Sequence, residues 1–251
     1  MCVLPTFITT KVKSTMTEIR KAFAIILVFV ILFFWLGLAA ATAVDSRSNS
    51  DKNSCKEILF DVFLGKKRIG EHSFLFAPSS DGIKVQSRAS FDYRLFNISL
   101  YNYEHFSEEY YDSENCLEKI NSSTLTETKV RGSVKQKIAG ERKDNGFLIK
   151  GSNEEQLDKS CVMSFAYWNP EILEQNSLLN AQTGKEVNIA VRELPVIESG
   201  AKYSLEGENL NIEVQYSEEG SWISLKSKVG KGRDLKYVLS SENIISDPLS
   251  L

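Results

Sequence analysis

The sequence predicts a mainly β protein: an antiparallel curved sheet or barrel of about twelve strands, with one short plugging helix near residues 168–180 and an apolar N-terminal helix. Three observations carry this reading. Apolar and polar residues alternate with period two through much of residues 56–240. Gly, Asn and Asp recur at hairpin spacing between the alternating runs. A run without charge, residues 22–41, stands apart from both patterns.

That run reads AFAIILVFVILFFWLGLAAA, directly after Arg20-Lys21. Twenty helical residues rise about 30 Å, the thickness of a bilayer's hydrocarbon, and this stretch has no polar face to turn toward water. Residues 1–43 are therefore a signal peptide or a single-span anchor. Ala41 and Ala43 make an A-x-A step before Val44 that suits signal peptidase, whereas the length exceeds the about 7–15 residues usual for a cleaved leader. Met16 opens a second plausible start, MTEIRKAF. Either way the segment predicts export: a periplasmic or secreted protein, with inner-membrane attachment through residues 22–41 if they are retained. Residues 44–55 then form a polar linker, 56–240 one β-rich domain, and 241–251 a tail.

The strands follow in order. Ile58, Phe60, Val62 and Leu64 alternate up to a Gly65-Lys66-Lys67 turn, and residues 68–77 return as the second strand. Asp81-Gly82 turns the chain into residues 83–93, and residues 99–111 (SLYNYEHFSEEYY) alternate again. Further strands are expected near 116–128, 130–142 and 147–150, then at 187–191, 201–205, 210–216, 222–227 and 235–239. The exception is VMSFAYWNPEILEQNSLLNAQTG. Here Asn169 stands as an N-cap before Pro170 at the first helical position and Glu171 in the first turn. A short helix between two groups of strands would plug the open end of the sheet.

The motifs SFAYWNP (164–170) and LLNAQTG (178–184) resemble an uncharacterised family of bacterial exported proteins, known only as a domain of unknown function. The hairpin FDVFLGKKRIGEHSF, the YNYEH run and Asn115-Cys116-Leu117 are similar to the same family, so the likeness spans most of 56–240. The resemblance implies an envelope β protein distantly similar to the curved-sheet lipoprotein carriers, and it implies no activity.

Composition narrows the chemistry. With 42% hydrophobic and 25% charged residues the chain is globular in character. Residues 1–43 hold four basic groups (Lys11, Lys13, Arg20, Lys21) and one acid (Glu18), so the remainder carries a formal charge of −6. That excludes a general nucleic-acid binder. No C-x-x-C, P-loop, H-E-x-x-H or G-x-S-x-G occurs, and no metal or cofactor is expected. Export places Cys55, Cys116 and Cys161 in an oxidising compartment. Of three pairings, Cys116–Cys161 is favoured, because Cys55 falls in the polar SRSNSDKNSCK stretch.

The chain has only two histidines. His72 reads as a hydrogen-bonded strand histidine, with Glu71 on the opposite face. Tyr101, Tyr103, His105, Ser107 and Glu109 share one strand face, either lining a polar-aromatic cavity or lying outside, with Leu100, Asn102, Glu104 and Phe106 inward. Glu108 and Glu109 read as a solvated strand end. No catalytic residue is assigned. The candidate ligand-binding residues are Phe165, Tyr167, Trp168, Asn169, Tyr101, Tyr103 and His105. The expected partner is a lipid-like ligand in an apolar interior, or an envelope protein. The alternatives are a hydrolase using His105 with a neighbouring serine or carboxylate, and a purely structural module.

Overall fold

The computed structural model describes residues 54–245, apart from 97, 131, 197, 198 and 231. The run at 22–41, the second start at Met16 and the choice between leader and anchor lie outside the described residues. Among the described residues no helix is long and apolar enough to cross a membrane.

The described residues form fifteen strands: β1 (Cys55–Leu64), β2 (Lys67–Ser79), β3 (Gly82–Leu95), β4 (Ile98–Asp112), β5 (Leu117–Thr128), β6 (Gly132–Lys143), β7 (Gly146–Lys150), β8 (Glu154–Leu157), β9 (Ser177–Leu179), β10 (Glu186–Asn188), β11 (Ala190–Leu194), β12 (Ala201–Gly207), β13 (Leu210–Tyr216), β14 (Trp222–Val229) and β15 (Arg233–Ile245). Thirteen make one antiparallel sheet in the order β11-β12-β13-β14-β15-β1-β2-β3-β4-β5-β6-β7-β8, and β9 pairs with β10 apart from it. The sheet does not close; β8 and β11 are its edges. Every neighbour is a hairpin partner except one. β1 pairs with β15, from Cys55 opposite Ile245 to Leu64 opposite Leu235, so the two ends of the domain zip together at mid-sheet.

Alternation sets the two faces. Phe60 and Val62 are completely buried while Asp61 and Phe63 are not. Bulges at Leu59/Phe60, Val62/Phe63, Tyr93/Arg94 and Tyr110/Tyr111 add curvature. Gly70 is required for space: a Cβ there would stand 1.9 Å from the Ser90 carbonyl oxygen. Phe60, Phe74, Trp222 and Tyr237 cluster at the concave centre, with the Phe60 and Trp222 rings 4.0 Å apart. Burying each such ring stabilises by about 1.5–3 kcal/mol.

The segment between β8 and β10 lies inside the curve and fills it. Its Ile172, Leu178 and Leu179 are fully buried, and Trp168 packs edge-on against Phe76 and Tyr111 at 5.3 Å. The Tyr216 hydroxyl donates to the Tyr167 carbonyl at 2.9 Å, tying this plug to the far side of the sheet.

Three sequence expectations are corrected. The helix expected near 168–180 is a 3-10 turn, Pro170–Glu174, followed by strand β9. The N-cap is as read, since Asn169 accepts from the Glu171 N–H at 3.0 Å. Gln175 turns extended, however, and Ile172 alone of the five is buried, so nothing extends the turn into an α-helix. The Leu178-Leu179 pair, equally suited to helix or strand, is drawn into β9 by pairing with β10. Strands are more numerous than expected, because β8 and β9 are too short to show alternation and the 187–191 run breaks at Ile189 into β10 and β11. Finally, the sheet takes in Cys55 and residues 241–245, which the sequence reading gave to the linker and the tail. Cys55 is buried and unpaired.

The Cys116–Cys161 disulfide is present, with Cα atoms 5.1 Å apart. Beside it the Leu117 N–H donates to the Val162 carbonyl at 2.8 Å, so the start of the plug is fixed to the start of β5.

Candidate functional site

Register across β1–β6 stacks the concave face into rows. One row reads Phe60, His72, Ala89, His105, Thr124, Gln136. The next reads Ile58, Phe74, Ser87, Ser107, Ser122, Ile138, and the third has Phe76, Val85, Glu109 and Ile120. Large side chains flank the rows, while their middle is Ala89, Ser87 and Ser107. A close-packed core would place bulk there. Small residues on β3 and β4 instead leave a cavity of about 220 Å³, roofed by residues 164–168 and 180–182 of the plug.

His72 and His105 stand two strands apart with Ala89 between them, and both line this cavity. His72 stacks on Phe74 at 4.2 Å, and neither ring nitrogen has a hydrogen-bond partner although both are shut from solvent. Burial, reinforced by the neighbouring His105, pushes its pKa down to about 3. Burial lowers His105 to about 4. Both imidazoles are therefore neutral at pH 7. His105 Nδ1 lies 2.8 Å from the Thr124 hydroxyl, which is sealed in the sheet at 2% exposure.

Glu109 ends the polar wall. Its carboxylate accepts from Ser107 at 2.8 Å, from Ser164 at 2.7 Å and from the Tyr111 hydroxyl. The Ser87 and Ser107 hydroxyls are 3.2 Å apart, which extends the chain across to β3. Burial and the adjacent Glu109 hold the Tyr111 phenol well above its usual range. On the roof, the Ser122 hydroxyl donates to the Ala181 carbonyl, and the Gln182 amide bridges the Tyr103 hydroxyl and Gln136. Phe165, Tyr167 and Trp168 supply the apolar walls, and the cavity wall contains no lysine or arginine. No cluster of three or more His, Cys, Asp or Glu side chains suited to a metal ion occurs among the described residues.

The structure brings Tyr103, His105, Phe165, Tyr167 and Trp168 into one wall. Tyr101 stacks on Tyr103 one step outside it, with ring centres 6.3 Å apart. Asn169 is buried at its cap, with Nδ2 unpartnered, but does not line the cavity. The open choice of face on β4 resolves inward for Tyr103, His105, Ser107 and Glu109. Two expectations are reversed. His72 is not hydrogen-bonded, because its strand neighbours on the concave face are Phe60 and Ala89. Glu109 is no solvated strand end but is buried, whereas Glu108 faces outward to Lys84 at 2.9 Å. Ser87, Ser164 and residues 180–182 stand outside the candidate ligand-binding residues, although Ser164 and 180–182 fall in the SFAYWNP and LLNAQTG motifs; for Ser87 the signal is the small residues facing one another on β3 and β4.

Among curated proteins no match is found. The fold is similar to the crystal structure of a beta-barrel-like protein of domain of unknown function DUF1849 from Brucella abortus, with a TM-score of 0.50 at 11% identity, covering 78% of this chain and all of that one. That likeness concerns the fold alone. Residues 60–240, nearly the whole sheet and all of the plug, match the family model described as domain of unknown function DUF6134, and the chain belongs to that family.

Proposed function

We propose that this is an exported envelope protein that binds a small, neutral amphipathic ligand between the concave face of the sheet and the plug. The observation that carries the reading is the cavity itself: the small residues Ser87, Ala89 and Ser107 leave about 220 Å³ where a close-packed core would place bulk, and two neutral histidines stand in its wall. The size supports a modest molecule, since a cavity of about 150 Å³ accommodates benzene and this one is larger by about half. A lipid-like ligand is thus narrowed to an aromatic ring or short chain with a polar end. The wall holds Glu109, two neutral histidines and no cation, so a carboxylate or phosphate head would enter uncompensated. The disulfide and the 22–41 run support the exported location.

Calorimetric titration of the full chain with matched pairs, an alkylphenol against the corresponding benzoate and a short alcohol against the fatty acid, tests this. Binding of the neutral members, abolished by Ser107→Leu, is expected. Equal or preferential binding of the acids would contradict it.

A hydrolase remains the second reading because of the His105–Thr124 contact at 2.8 Å. Thr124 is sealed in the sheet and would have to reach a substrate from there, which disfavours it as a nucleophile. Any esterase activity that survives His105→Ala removes this reading.

A further inference from the structure

We infer that the end of the sheet formed by the β1–β2, β3–β4, β5–β6 and β14–β15 turns docks on an anionic phospholipid surface. Register places these four hairpin tips at one end, opposite the end where Cys55 meets Ile245. They are joined in series: the Gly65 N–H donates to the Asp234 carbonyl at 2.7 Å, and Lys67 Nζ donates to the Arg94 carbonyl.

Two features mark this end. The first is apolar. Phe96 is 90% exposed and Val130 94% exposed, with Leu95 and Ile98 also open beside Phe96. A water-facing hairpin tip would favour asparagine or glycine, whereas Phe96 holds φ at 49°, in the left-handed region that a bulky side chain avoids. No packing within the fold accounts for an aromatic there. The second is charge. Lys66, Lys67, Lys129 and Arg233 are exposed on the same tips and form no ion pair among the described residues. Lys67 and Arg233 both lie over the Tyr93 ring, at 5.2 and 5.4 Å, which gathers cations beside the apolar tips.

The chain beyond residue 43 is acidic overall, so a cationic end is a local arrangement. Apolar tips set in a collar of lysine and arginine are complementary to a bilayer interface, where rings enter the acyl boundary and cations meet lipid phosphates. A protein partner would require shape complementarity over a continuous face, and these are separate protruding tips.

The full chain, carried in phosphatidylcholine nanodiscs, is mixed with vesicles of brominated phosphatidylglycerol, and the tryptophan emission of a Phe96→Trp variant is compared with that of the unsubstituted chain. The introduced indole is expected to shift to the blue and lose most of its emission. Brominated phosphatidylcholine should leave it unchanged, and the charge reversal Lys66→Glu/Lys129→Glu should restore the emission severalfold. Water-like, unquenched emission with the anionic vesicles overturns the inference; a surface built for another protein would give that same result. Equal quenching by both lipids overturns the anionic preference.

Discussion

His72 and His105 share a row of the sheet with Ala89 between them, and Tyr103, Tyr167, Tyr237 and Glu109 are titratable groups near them. In the unfolded chain each imidazole binds a proton near pH 6.5, but in the folded protein not until about pH 3 and 4. The unfolded state therefore holds more protons between those values, and stability is lost as pH falls below about 6.5. Urea unfolding followed from pH 7 to pH 5 should show this loss, at up to about 1.4 kcal/mol per pH unit for each histidine. His72→Leu should flatten the slope by about half, because the chain has only these two histidines. A slope unchanged by His72→Leu would contradict the burial of its imidazole. Glu109→Ala tests the neighbouring network. It strands the hydroxyls of Ser107, Tyr111 and Ser164 and should lower the unfolding free energy by about 2–3 kcal/mol, with Glu109→Gln costing less. Alternation alone set Tyr103, His105, Ser107 and Glu109 on one face. Which way that face points depends on Ser87, Ala89 and Thr124 of the neighbouring strands, and a single strand's sequence does not carry that information.

The plug is the element on which the cavity depends. Its aromatics pack from both sides, Trp168 on Phe76 and Tyr111, and Tyr167 on Trp222 at 5.5 Å. Trp168→Ala should destabilise by about 3–5 kcal/mol and open the roof, read as a lower urea midpoint together with greater amide exchange in β9. The Cys116–Cys161 bridge spans 45 positions of sequence and should contribute about 3–4 kcal/mol. Replacing both cysteines with serine should lower stability to the same value that reduction gives for the native chain. The cap at Asn169 was legible because Asn-Pro-Glu is a local signal. The length of the helical turn was not, because it ends where β10 offers Leu178 and Leu179 a partner distant in sequence.

At the scale of the whole molecule, hairpin turns announced an antiparallel meander, and the turn residues at Gly65, Gly146 and Gly220 stand where the sheet reverses. The pairing of β1 with β15 has no local signature, since it joins residues about 180 positions apart, and with it the inclusion of Cys55 and 241–245 in the sheet. The same long-range pairing brings the Tyr237 ring 5.7 Å from that of His72, so the joining of the chain's two ends helps to wall the site. What that cavity holds decides the function. Native mass spectrometry of the full chain, released gently from membranes and compared with Ser107→Leu, tests it most directly. A small-molecule adduct, neutral once released, is expected on the native protein and none on the filled variant. A native chain that is consistently free of adduct, or an adduct that Ser107→Leu retains, would contradict it.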